Sequence, residues 1–207
     1  MRYVITSLST FLLLLITPFV FAYPKEIIII RHADKLVQNE PGPTLSAKGE
    51  LRAIKFAFYF LDKFGEPDYL IAANAVSETG KNSSQRELET LAPLANILAE
   101  RHSEKDIPIL HPYTSNHYPK LVKYIFGTAK FDEKKILICW HHAKIKKLVE
   151  ELGVKSNIDD WPDDDFDTVY DIHFTKLGKI ENFEILKNQY PIQFNGSWRD
   201  IYNKLEV

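Results

Sequence analysis

The sequence predicts an α/β fold, a mainly parallel central sheet with helices on both faces. Two observations carry this. Segments of strand character alternate with segments of helical periodicity through most of the 207 residues. The first strand is also an unbroken apolar run, Ile27-Ile28-Ile29-Ile30, where a half-solvated strand would alternate, so both of its faces are buried. Sheets of this kind bind ligands at the carboxyl ends of their strands, and this run ends there on Arg31-His32.

The elements follow in order. The first strand is Glu26 to Arg31, and Asn39-Glu40-Pro41-Gly42-Pro43 is a loop. Ser46 stands where it caps a helix with Gly49 and Glu50 in its first turn. Leu51, Ile54, Phe58 and Leu61 recur at helical spacing to about Phe64, and Gly65-Glu66-Pro67 ends the run. Tyr69 to Ala73 is a second strand and the polar stretch Asn74 to Ser83 a loop. Ser84 to Glu100 is a helix, with Leu88, Leu91, Leu94, Ile97 and Leu98 on one side and a candidate kink at Pro93. Ile107 to Leu110 is a third strand, Tyr118 to Ile125 a helix and Lys135 to Trp140 a fourth strand. Ile145 to Leu152 is a helix closed by Gly153. Asp167 to Phe174 and Lys179 to Leu186 form a strand pair that turns at Gly178. No linker interrupts this order, so residues 23–207 are expected to form one domain.

Residues 1–22 stand apart. Met1-Arg2 is short and positive, Val4 to Phe21 is almost wholly apolar, Pro18 breaks the helix, and Ala22 is small. This is the pattern of a secretory signal cleaved after Ala22, which would place the mature protein in the periplasm or outside the cell. Left uncleaved, the same stretch would be a membrane anchor, and only then would a membrane be a partner. The lone cysteine, Cys139, excludes an internal disulfide framework and suits an exported compartment. A net charge of -2 excludes a nucleic-acid binder held by counterion release.

Arginine and histidine gather at the predicted carboxyl edge. Arg31 and His32 end the first strand, Arg86 opens the helix after the second, and His141 and His142 end the fourth. A guanidinium grips phosphate oxygens in a bidentate fork, and an imidazole attacks phosphorus. Two arginines and two histidines together suit a dianionic phosphoryl group. Other residues read differently. His102, His111 and His173 read as surface or structural groups, and Cys139 as buried and inert. The adjacent His141-His142 pair is poorly spaced for zinc, so no metal and no cofactor is expected. The acidic run Asp159 to Asp167 lacks the glycine of a calcium loop and reads as a solvated loop, with substrate orientation as the alternative.

These motifs resemble the histidine phosphatase superfamily, the phosphoglycerate mutase-like fold. Arg31-His32-Ala33 is similar to the family's Arg-His-Gly signature, with alanine in the glycine's place. Leu45-Ser46-Ala47-Lys48-Gly49-Glu50-Leu51-Arg52-Ala53 resembles its Leu-Thr/Ser-x-x-Gly-x-x-x-Ala helix start. Ser84 to Thr90 resembles its second-arginine segment, and the strand into His141-His142 its second-histidine segment. Trp161-Pro162 through Asp167-Thr168-Val169-Tyr170 is similar to a late motif of a poorly characterised bacterial and fungal branch. The resemblance covers nearly all of the chain after the expected signal.

The resemblance implies a three-layer α/β/α sandwich and a ping-pong phosphoryl transfer. His32 would be the nucleophile, Arg31 and Arg86 would hold the phosphoryl oxygens, and a second histidine would add a donor. Two alignments are open for that histidine. A His-Gly-Gly-x-Ile form favours His141, whereas the gapless Trp-x-His-x-x-Ile form favours His142, which is preferred. The general acid is not evident, and Asp34, His117 and His141 are its candidates. The expected partner is a phosphorylated small molecule or an envelope phosphoester. Short segments at Asn74 to Ser83 and Leu110 to Tyr118 imply an open site. The rival expectation is an envelope protein that binds a phospholigand without turning it over.

Overall fold

The computed structural model describes residues 22–36, 42–76, 84–102 and 107–189. Nearly all of the expected signal and residues 77–83 of the loop after the second strand lie outside these. Ala22 is fully buried, and its N–H donates to the Phe126 carbonyl (3.1 Å). Among the described residues no helix is long and apolar enough to cross a membrane.

Six strands form one sheet: β1 (Glu26–Arg31), β2 (Tyr69–Ala72), β3 (Ile109–Leu110), β4 (Lys135–Trp140), β5 (Val169–Phe174) and β6 (Ile180–Leu186), in the order β3-β2-β4-β1-β5-β6. β1, β2, β3 and β4 pair in parallel, and β5 runs antiparallel to both β1 and β6. Among the described residues, four α-helices connect them: α1 (Ala47–Phe64), α2 (Arg86–Arg101), α3 (Tyr118–Phe126) and α4 (His142–Glu151). The expected α/β class, with a mostly parallel sheet between helices, is what the chain adopts.

The apolar run Ile27–Ile30 shows why both faces are covered. Successive strand side chains point to opposite faces. Ile27 and Ile29 join the core built with Leu121, Ile125, Ile145 and Leu148 of α3 and α4. Ile28 and Ile30 join the core built with Phe56, Phe60, Leu91 and Leu94 of α1 and α2. All four isoleucines have zero exposure. Burial of each side chain stabilises the fold by about 1.5–3 kcal/mol.

α1 starts as its sequence indicates. Ser46 is the N-cap, and its Oγ accepts the Gly49 N–H (3.1 Å). The cap is also fastened to the chain beyond β1, since the Ser46 N–H donates to the Asp34 carbonyl (3.0 Å). A Cβ on Gly49 would stand 2.2 Å from that same carbonyl oxygen. Glycine at this place lets the helix start close onto the segment that carries His32.

Four element starts lie two or three residues from the sequence pattern, each for a local reason. β3 is only Ile109–Leu110 because Pro108 lacks the N–H a longer ladder needs. β5 begins at Val169 because the N–H groups of Asp167 and Thr168 donate to the Asp165 carboxylate (3.2 and 3.1 Å). α2 begins at Arg86 because the Ser84 hydroxyl accepts the Arg86 N–H (3.3 Å). α4 begins at His142, three residues before the apolar periodicity starts, because its first turn is polar. Pro93 sits inside α2 without ending it.

Replacement of Ile29 by alanine in this two-sided core is expected to cost about 2–5 kcal/mol. Urea unfolding of the wild type and Ile29→Ala measures it, and a loss below about 1 kcal/mol would contradict the packing described.

Candidate active site

Strand register sets the centre of the site. Arg31 pairs with Trp140, so the residues that follow each leave the sheet side by side. The His32 ring lies 6.3 Å from His141 and 6.4 Å from His142, centroid to centroid. His141 is the N-cap of α4 and His142 its first residue, and their rings stack at 4.5 Å.

His32 is 1 % exposed, and its Nδ1 lies 2.7 Å from the Ala33 carbonyl oxygen. A carbonyl only accepts, so Nδ1 carries the proton and Nε2 keeps a free lone pair. Burial lowers the His32 pKa to about 3, opposed by the Ala33 bond and aided by the Arg31 and Arg86 charges. At neutral pH His32 is therefore an uncharged imidazole with its nucleophilic nitrogen unprotonated.

Arg31, also 1 % exposed, is gripped from one side. Its Nη1 donates to the carbonyls of Pro162 (3.0 Å), Asp163 (2.8 Å) and Asp165 (3.0 Å), and the Phe166 ring lies 4.0 Å from its guanidinium carbon. Burial lowers its pKa to about 10, with Asp163 and Asp165 opposing, so it stays charged at neutral pH. Its Nε and Nη2 are buried and have no hydrogen-bond partner.

Arg86 is positioned through the first turn of α2. The Ala33 N–H donates to Thr90 Oγ1 (2.9 Å), and that hydroxyl donates to the Arg86 carbonyl (2.6 Å). Arg86 Nη1 donates to the Gly42 carbonyl (2.9 Å), while its Nε is buried and has no partner. Its charge is near enough to His32, His141 and Arg31 to lower the pKa of each.

His142 Nε2 lies 2.8 Å from Asp163 Oδ1, and its Nδ1 is buried and has no partner. Burial and the Arg31 cation lower the His142 pKa, and Asp163 opposes both. Burial, then the adjacent His142 and the two arginines, lower His141 to about 4.

The candidate acids divide. Asp34 is clamped by Arg52 Nε (2.5 Å) and Lys48 Nζ (3.1 Å). Burial pushes its carboxyl up, but those two cations outweigh burial and hold it below the usual range. An ionised, doubly paired carboxylate has no proton to give. His117 sits in a short 3-10 turn, with its Nδ1 3.2 Å from Thr114 Oγ1. His141 stands beside His32 but is neutral at pH 7.

The acidic run is solvated at Asp159, Asp160, Asp163 and Asp164, as expected, but its inner residues are not. Trp161 is buried, its Nε1 donates to the Asp165 carbonyl (2.9 Å), and the Asp165 carboxylate accepts the Thr168 hydroxyl (2.6 Å). The turn points three carbonyls at Arg31 because those inner contacts fix its shape. Asp163, Phe166 and Thr90 are thus site residues that strand and helix patterns did not single out. The signal for Asp163 and Phe166 was the Trp161-Pro162 to Tyr170 motif, and that for Thr90 the Ser84 to Thr90 segment.

At the far end of β1 and β5, Glu26, Asp171 and His173 gather. Glu26 pairs with Lys135 (3.2 Å) and Asp171 with His173 (3.2 Å).

No family model and no curated protein matches the sequence. Solved structures do match. A protein histidine phosphatase SixA complexed with tungstate superposes with a TM-score of 0.52 at 13% identity, covering 78% of this chain and 96% of that one. The chain has the histidine phosphatase fold. Other solved structures match at lower TM-scores. Among them are phosphoserine phosphatase from Entamoeba histolytica (0.46, 14% identity, 80% of this chain and 99% of that one) and α-ribazole phosphatase from Shigella flexneri (0.43, 13% identity, 79% and 96%). In this histidine phosphatase fold, Arg31, His32, Arg86, His141 and His142 meet at the carboxyl edge of β1 and β4.

The neutral histidines set a pH dependence of stability. The unfolded chain binds protons at His32 and His141 as pH falls through about 6.5. The folded chain binds them only near about 3 and about 4. The contribution of these two histidines is therefore full above pH 6.5 and declines as pH falls below it. Urea midpoints at pH 7.5 and 5 are expected to show the decline, with a shallower one in His141→Gln. Equal declines in both proteins would contradict the assignment.

Proposed function

We propose that the protein is an exported phosphomonoester hydrolase, a histidine phosphatase that acts without metal through a phosphohistidine on His32. One observation carries the reading. Among the described residues, five buried side-chain polar atoms lack a hydrogen-bond partner, and four of them are Arg31 Nε, Arg31 Nη2, Arg86 Nε and His142 Nδ1. A buried polar atom without a partner costs about 1–3 kcal/mol, and more where the group is charged. Four such atoms beside a neutral imidazole suit a tetrahedral oxyanion, because a phosphoryl group accepts from all four. The phosphatase neighbours support the same chemistry, and the SixA neighbour was solved with a tetrahedral tungstate.

In the proposed reaction His32 Nε2 attacks phosphorus as the bond from phosphorus to the leaving oxygen breaks. Arg31 and Arg86 carry the negative charge that spreads over the phosphoryl oxygens, and His142 adds a donor. Water then attacks the phosphohistidine, the N–P bond breaks, and inorganic phosphate leaves with His32 neutral again. Asp34 is ionised and His141 neutral, so neither holds a proton for the leaving oxygen. Substrates whose leaving groups need little protonation are favoured. The partner is a phosphorylated small molecule or an envelope phosphoester. Export rests on the pattern of residues 1–22 alone.

Acid-quenched mixing with a labelled acetyl phosphate is the test. Acid-labile, base-stable label on the wild type and none on His32→Ala is expected. Arg86→Ala is expected to lower kcat/KM for an aryl phosphate about 100–1000-fold. Tungstate binding with neither label nor hydrolysis would favour the phospholigand-binding rival instead.

A further inference from the structure

We infer that Asp163 is the positioning residue of this site: its carboxylate holds the outer nitrogen of His142 so that the inner nitrogen donates to the bound phosphoryl group. The inference rests on the proposed phosphatase reading and goes beyond it in giving a role to the acidic segment.

The argument is one of proton placement. Asp163 Oδ1 stands 2.8 Å from His142 Nε2. A carboxylate accepts, so a hydrogen bond there puts a proton on Nε2. Nδ1 is the buried nitrogen without a partner, as are Arg31 Nε, Arg31 Nη2 and Arg86 Nε. In a neutral imidazole only one nitrogen carries hydrogen, so an Nε2–H would leave Nδ1 as an acceptor. An acceptor facing phosphoryl oxygens is repulsive. His142 serves as a phosphoryl donor only when both nitrogens are protonated, and that imidazolium needs an anion at Nε2.

The charges around His142 make Asp163 the group that supplies it. Arg31 and Lys35 from the chain at the end of β1 oppose the imidazolium, as does burial. His32 and His141 at its sides are neutral at pH 7. On its own helix, Lys146 pairs with Asp160 (3.4 Å). Asp163 is the anion in contact, and it is the group that raises the His142 pKa by both charge and hydrogen bond. A phosphoryl dianion at Nδ1 then adds the second negative partner. The backbone of Asp163 is committed elsewhere, because its carbonyl accepts from Arg31 Nη1 at 2.8 Å. One residue thus joins the arginine and the histidine of the pocket, one through its main chain and the other through its side chain.

The side chain of Asp163 is 87% exposed, so its replacement removes no buried packing. Asp163→Asn keeps the carbonyl on Arg31 and removes the charge. The titration of His142 would be followed by imidazole 15N NMR in the full chain, together with calorimetric binding of tungstate at pH 7. In Asp163→Asn the His142 midpoint is expected to fall and tungstate to bind about tenfold more weakly, the loss of one charge-assisted hydrogen bond. Asp163→Glu is expected to recover part of both. For any phosphoester hydrolysed, the alkaline limb of kcat/KM is expected to move to lower pH in Asp163→Asn.

An unchanged His142 midpoint in Asp163→Asn would overturn the inference. So would tighter tungstate binding, since Asp163 would then be a competitor of the oxyanion. The NMR and calorimetric readouts need no turnover. A shifted midpoint and weakened tungstate binding in Asp163→Asn, beside a wild type that hydrolyses nothing, would therefore uphold the Asp163–His142 coupling and sink only the phosphatase reading.

Discussion

The burial of the Arg31 guanidinium is the constraint around which the rest is arranged. Taking such a cation out of water costs several kcal/mol, on the order expected for any desolvated ion, unless dipoles and counter-charges offset it. Here three carbonyls of residues 162–165 converge on Nη1, an aromatic face covers the plane, and the charges of Asp163, Asp165 and Asp34 surround it. The three hydrogen bonds fall on Nη1, whereas Nε and Nη2 are buried without a partner. Donors held this way need no reorganisation when charge develops on a phosphoryl group, and this is the physical basis of electrostatic preorganisation.

The acidic segment after α4 follows from the same need. Its negative charge is spent holding Arg31 and His142, and its turn is kept rigid by Trp161 and by the hydrogen bonds to the Asp165 carboxylate. A segment rich in aspartate that looks like surface in one dimension is the outer wall of the cation pocket in three.

Carboxylates elsewhere at this edge are structural. Asp34 directly follows Ala33, yet Arg52 and Lys48 of α1 bind it, and this ion pair ties the first turns of α1 to the end of β1. Gly49 and the Ser46 cap reinforce the same joint. Thr90 makes a matching joint between Ala33 and the first turn of α2. His32 is thus placed by its neighbours on both sides, and its ring orientation by the Ala33 carbonyl. Of the three histidines at the site, His32 and His141 are kept neutral by desolvation, whereas His142 has an anion in contact.

The sequence by itself determined the α/β class, the strands β1 and β4 to the residue, and the Ser46 cap with Gly49 behind it. Those features are local: an unbroken apolar run, a helical period, and a capping residue whose partner lies three positions on. It also brought Arg31, His32, Arg86 and the His141-His142 pair to strand ends or the helix start, where an open sheet exposes its reactive groups. Only the tertiary structure decided what each of them contacts, because hydrogen-bond partners far apart in the chain set protonation and direction. Asp163 reaches His142 across 21 positions of sequence, and the carbonyls that hold Arg31 come from more than 130 positions away. Nothing in a one-dimensional pattern separates the ion-paired Asp34 from a proton donor, or an aspartate in solvent from one that charges an imidazole. Burial and register make that difference, and both are properties of the packed sheet.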